Sequence, residues 1–169
     1  MQYLPALLTL AAAASAIDIR LHTDLHCNTV GVWAYCTNWG PNSCCGVDDA
    51  AYLSVAFVAI PTNWNVETRA YTGGFCKNQR IVDSPEHANT VCLHDQDGVA
   101  RMTGGGYGFT NRKSTLGASS PDECRPDGLV LEDGTNYATL ASDMDQNLYS
   151  ELVRLCLPCR EEYLLTISQ

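Results

Sequence analysis

The chain has 169 residues, of which 17% are charged and 46% apolar, with nine cysteines and a formal net charge of −9 at pH 7. That length suits one domain with a real core, and an acidic surface repels phosphate backbones, so neither nucleic acid nor anionic membrane is expected as a partner. Beyond the N-terminus no stretch approaches the roughly 18 apolar residues of a membrane span.

Residues 1–16 carry no charged side chain and end in Ala14-Ser15-Ala16, an A-x-A cleavage pattern. They read as a secretory signal peptide, leaving residues 17–169 as one mature, extracellular domain. Thiols oxidise outside the cell, so the cysteines at 27, 36, 44, 45, 76, 92, 124, 156 and 159 are expected to form disulfides with one left unpaired. The adjacent Cys44 and Cys45 should serve two different bridges, because bonding neighbours strains the peptide between them. A monomer is expected unless the odd cysteine links a dimer.

The first mature segment holds His22, Asp24 and His26, but Thr23 stands where the H-E-x-x-H helix of a metalloprotease needs glutamate. Neither metal nor cofactor is expected. From Thr29 to Cys36 the sequence alternates, with Val30, Val32, Ala34 and Cys36 on one face and Trp33 and Tyr35 on the other, a strand pattern. CTNWGPNSCCG follows as a cross-linked loop rich in turn formers. Tyr52 to Ile60 is apolar nearly throughout and closed by Pro61, as in a central strand covered on both faces.

Val66 to Thr72 alternates again, and Gly73-Gly74 permits a bend. Asp97-Gly98 predicts a hairpin turn between Val91–Leu93 and Val99–Met102, which would set Cys76 and Cys92 on neighbouring strands and pair them. TGGGYGF, 103–109, lacks the lysine of a phosphate-cradling loop, and its glycines are expected in a turn or bulge. Asp133-Gly134 predicts a second hairpin within LVLEDGTNY. Met144, Leu148, Leu152, Leu155 and Cys156 then recur at helical spacing, giving an amphipathic helix over about 142–157, which Pro158 stops. Cys156 and Cys159 fall at its C-terminal end, where the dipole and Glu161-Glu162 disfavour a thiolate, so the pair reads as a staple and not a redox centre. The expected fold is mainly β: an antiparallel β-sandwich or barrel-like domain, disulfide-stapled, with that one C-terminal helix.

The signal peptide, the Cys44-Cys45 doublet, the run SVAFVAIPTNWNVETRAYTGGFC and the LVLEDGTNY hairpin followed by a helix resemble the small secreted cysteine-rich proteins of filamentous fungi. The resemblance implies an effector or elicitor working outside the fungus, in the apoplast of a plant host, and it carries over no catalytic residue. The function expected is therefore non-catalytic binding of a host protein or cell-wall polysaccharide through loops 37–46 and 104–111, with Trp39, Asn42, Tyr107 and Phe109 as contacts. Two alternatives stand beside it. A secreted ribonuclease or glycosidase could assemble His87 or His94 with Glu67 or Glu86. A carbohydrate-binding module could stack sugars on Trp33, Trp39 or Trp64.

Overall fold

The computed structural model describes residues 16–48, 52–110 and 125–138. Its first strand shows how the fold is built. In β1 (Ile17–His22) the alternate residues Ile17, Ile19 and Leu21 are fully buried, which turns Asp18, Arg20 and His22 to the opposite face. The strands that follow are β2 (Trp33–Trp39), β3 (Cys45–Gly46), β4 (Ser54–Val58), β5 (Val66–Thr72), β6 (Asn78–Asp83), β7 (Val91–His94), β8 (Gly104–Phe109), β9 (Gly128–Val130) and β10 (Asn136–Ala138). They form a six-stranded sheet in the order β10-β9-β2-β1-β4-β7 and a four-stranded sheet in the order β3-β8-β5-β6. Every strand pairing is antiparallel.

The sheets pack face to face over one core. Ile19, Leu21, Ala34, Val55, Phe57, Leu93 and Leu129 enter it from the six-stranded sheet, and Val66, Ala70 and Tyr107 from the four-stranded one. Both sheets keep open edges, so the barrel-like alternative does not hold and the architecture is a sandwich. Among the described residues there is no helix, and none long and apolar enough to cross a membrane. The helix expected over 142–157 lies outside the described residues, as do residues 1–15.

Several expectations meet the structure directly. The apolar run 52–60 supplies β4, which lies between β1 and β7 and is buried at Ser54, Val55, Ala56 and Phe57. β9 and β10 form the expected hairpin around Asp133-Gly134. The glycine-rich stretch is different: it is a strand, β8, paired on both sides within its sheet. Its glycines serve close approach instead of turning. A Cβ on Gly105 would sit 2.7 Å from Val55 Cγ1 and 3.0 Å from Ile19 Cγ2, both in the opposite sheet, so side chains of that sheet lie directly on the β8 backbone here.

Among the described residues three disulfides are formed: Cys27–Cys92, Cys36–Cys45 and Cys44–Cys76. The doublet does serve two bridges. The expected Cys76–Cys92 pair is not made, because the hairpin that would have set it up does not form. Asp97-Gly98 turns the chain, with Gly98 N donating to Asp95 O at 2.9 Å, but β7 pairs with β4 and Met102 bridges Tyr52. Cys92 therefore lies on the six-stranded sheet, while Cys76 precedes β6 of the other. Cys36–Cys45 joins β2 to β3 and so ties the two sheets covalently. Cys124, Cys156 and Cys159 lie outside the described residues.

Two stability predictions follow from this packing. Gly105→Val overfills the contact between the sheets and should lower the unfolding free energy by about 1–3 kcal/mol, read as a shift in the denaturant midpoint at unchanged slope. The Cys27–Cys92 bridge spans 65 residues, and the loop-entropy relation gives about 4 kcal/mol for a loop of that length. The double variant Cys27→Ala/Cys92→Ala should lose an amount of that order in equilibrium unfolding, and a loss below about 1 kcal/mol would contradict the assignment.

Candidate functional site

Because β1 sends its aliphatic residues inward, the outer face of the six-stranded sheet is lined by the residues between them. The register sets Arg20 directly opposite Tyr35 and His22 opposite Trp33 on β2. On the other side the same two residues face the small Ala56 and Ser54 of β4. Opposite Tyr35 on β9 stands Gly128, and a Cβ there would collide with the Tyr35 hydroxyl and ring. The phenol thus crosses over bare backbone, and its Oη donates to Asn136 Oδ1 of β10 at 2.9 Å.

Trp33 is the centre of this row. Arg20 places its Cζ 4.7 Å from the Trp33 ring centroid, a cation–π contact. The His22 ring lies 5.8 Å away at an interplanar angle of 20°, and Tyr35 lies 5.6 Å away at 53°. Arg20, Trp33 and Tyr35 are all half-buried. The other two tryptophans behave differently: Trp39 and Trp64 pack against the core.

One end of the row is closed by the loop between β1 and β2. His22 is 1% exposed, and its Nδ1 lies 3.0 Å from the carbonyl oxygen of Asn28. A carbonyl can only accept, so Nδ1 carries the proton and Nε2 is left with its lone pair, buried and without a partner. Asp24 shapes the loop: its Oδ1 accepts from the backbone N–H of His26 at 2.7 Å and that of Asn28 at 3.2 Å. Ser54 Oγ donates to Asp24 O at 2.6 Å, and Cys27–Cys92 fastens the loop to β7. Next to that bridge the rings of His26 and His94 meet edge to face at 5.9 Å. Burial depresses the His22 pKa, against smaller opposing effects of the Asn28 carbonyl and the Asp24 carboxylate.

The contact residues expected from the sequence lie elsewhere. Tyr107 is fully buried, and its Oη donates to Trp39 O at 2.8 Å while its own carbonyl accepts from Asn42 N at 2.7 Å. It is an internal strut that shapes the 39–42 loop and cannot present itself to a partner. Burial pushes its phenol up to about 12. Phe109 is half-buried against Trp64, with ring centroids 5.0 Å apart. Trp39, Asn42 and Tyr107 are therefore brought together, but as a packing unit at the end of β2, and segment 104–109 is a buried strand instead of a display loop.

The acid–base candidates are not joined either. His87 Nδ1 lies 2.7 Å from Thr62 O, and Glu67 is paired with Arg69 on β5. Among the described residues no hydrogen bond or ion pair links His87 or His94 to Glu67 or Glu86. Nor do any three or more His, Cys, Asp or Glu side chains among them form a group able to hold a metal ion. The sequence sets Trp33 and Tyr35 together on one face of the 29–36 strand, yet neither Tyr35 nor Arg20 is among the contact residues it suggested. The available signal was their shared alternation on the face opposite Val32, Ala34 and Cys36.

Fold and site together define a disulfide-bonded antiparallel β-sandwich domain that carries an aromatic and cationic row on one outer face. The family model ARB_05566_N, described as an N-terminal domain, matches residues 18–130, well over half of the chain, and the chain belongs to that family, whose name is a fungal one. The matched region runs from β1 to β9 and contains all three disulfides and the Arg20–Trp33–Tyr35 row. No curated protein and no solved structure matches the chain.

The buried histidine makes stability depend on pH. Its native pKa lies below the ordinary 6.5, so as pH falls through 6.5 the unfolded chain takes up a proton that native His22 refuses. Stability is fully present above about 6.5 and declines toward the depressed native value. Measured as denaturant midpoints between pH 7 and 5, this slope should be shallower in His22→Phe than in the wild type by up to one proton. Equal slopes would show that His22 titrates alike in both states.

Proposed function

We propose that this is an exported, non-catalytic binding protein whose ligand is a cell-wall polysaccharide, held on the outer face of the six-stranded sheet. The observation that carries the reading is the placement of Tyr35 and Trp33. Tyr35 is fixed across Gly128 by its bond to Asn136, and Trp33 is held beside it by Arg20 and His22. Half-buried rings restrained by such contacts lose little entropy on binding, and sugar rings present C–H faces that stack on them. Three disulfides in a chain of this size fit an oxidising, extracellular setting, where such polymers are found. The fungal resemblance supports the same setting, at the wall of the fungus or of a plant host. With both rings on regular strands, the recognition surface is preformed and need not wait for a loop to order.

The test is retention on insoluble chitin, β-glucan, cellulose and pectin. The wild type should be retained on at least one of them, and Tyr35→Ala and Trp33→Ala should each weaken that retention about tenfold or more, roughly 1.4 kcal/mol, with disulfides intact. No retention on any polymer, or undiminished retention of both variants, would refute the proposal.

A further inference from the structure

Arg20 has no ion-pair partner among the described residues. The other arginines in described ion pairs have carboxylate partners: Arg69 with Glu67 and Arg80 with Asp95 at 2.9 Å. Among the described residues no carboxylate stands within ion-pairing distance of Arg20. Its guanidinium stacks on Trp33 at 4.7 Å, and its neighbours across the strands are Tyr35 and Ala56, one aromatic and one too small to reach it. Stacking restrains the guanidinium while leaving the N–H groups along its edge unused, and that edge matches the two oxygens of a carboxylate.

Resting on the polysaccharide reading above, we propose that Arg20 makes the face selective for an acidic, uronate-bearing polysaccharide: the carboxylate of one sugar residue takes the guanidinium edge while a neighbouring ring stacks on Tyr35. The chain's net charge of −9 works against a polyanion. A polyanion is repelled by this molecule at long range, so preference for one must come from a local cation whose charge is free to be used. At contact, inside the Debye length of about 8 Å at physiological salt, the carboxylates nearest to Arg20 in sequence are held by other donors. Asp18 on the same strand accepts a hydrogen bond from Asn38 N at 2.9 Å, and Asp24 is engaged with the loop.

The experiment compares oligogalacturonate with its methyl ester, which has the same sugar backbone but no charged carboxylate, by calorimetry on the disulfide-intact protein. The wild type should bind the acid form at least tenfold more tightly than the ester. Arg20→Gln should bring the ratio of acid to ester affinity, measured on the same variant, to about one, and Arg20→Lys, which keeps the charge without the planar fork, should restore only part of it. Equal affinity of the wild type for acid and ester, or a preference that survives in Arg20→Gln, overturns the proposal while leaving the polysaccharide reading in place. Absence of binding to either form and to every neutral polymer overturns both. The acid-versus-ester comparison on the wild type decides the matter even if an Arg20 variant fails to fold.

Discussion

The close approach of the two sheets at Gly105 is the constraint from which the rest of the molecule follows. A side chain there would meet Val55 and Ile19 across the interface, so the sheets pack at a distance that only glycine allows on that strand. This fixes which face of β1 and β4 points inward. Side chains alternate along a strand, and a slip of one residue would carry Ile17, Ile19 and Leu21 to solvent and Arg20 into the core. The hydrophobic cost of that exchange, several fully buried aliphatic side chains at about 1.5–3 kcal/mol each, holds the register. Cys36–Cys45 then locks β2 to β3, so the register of the neighbouring strand is anchored to the other sheet as well.

The outer face inherits its order from that inner one. Arg20, His22, Trp33 and Tyr35 stand in a row because the residues between them are committed to the core, and small residues around them decide how they lie. Gly128 lets the Tyr35 ring cross its backbone, while Ser54 and Ala56 flank β1 without covering it. His22 links this face to the β1–β2 loop through the Asn28 carbonyl, and Cys27–Cys92 prevents the loop from departing far even when that bond is strained. The row is accordingly preorganised from two directions, by strand register beneath and by a tethered loop at one end.

Much of this was legible in the sequence, and the part that was not has a physical explanation. β4, β5 and the β9–β10 hairpin announced themselves through apolar runs, alternation and Asp-Gly turn chemistry, all of which are local. β8 was hidden because alternation needs side chains to be visible, and four of its six residues are glycines. Its role depends on what crosses it, Val55 and Ile19, which are some 50 and 86 positions away in the chain. Cysteine partners failed for a related reason: a bridge reports which strands are neighbours in the sheet, and the order β1-β4-β7 is set by non-local pairing. Tyr107 was expected at the surface and is buried, because alternation divides residues into two faces without saying which is inward. Tyr107 and Trp33 look alike as aromatics in strand-like segments, yet one faces the core and the other faces out.

That division also bears on how an acidic protein can recognise anything acidic. Charge spread over a surface acts at long range and is screened, whereas a single guanidinium held against an aromatic ring acts at contact and is not. Arg69 and Arg80 spend their charge within the protein, so they contribute to neither effect. Arg20 is kept from the same fate by the alternation that surrounds it with an aromatic ring, a methyl group and a glycine-floored tyrosine. The cation–π contact accounts for Arg20 lying over Trp33, and it leaves the donors on the guanidinium edge out of account. An aromatic row by itself offers a ligand stacking but no charge. The two features make physical sense together when the ligand brings both a stacking surface and a negative charge.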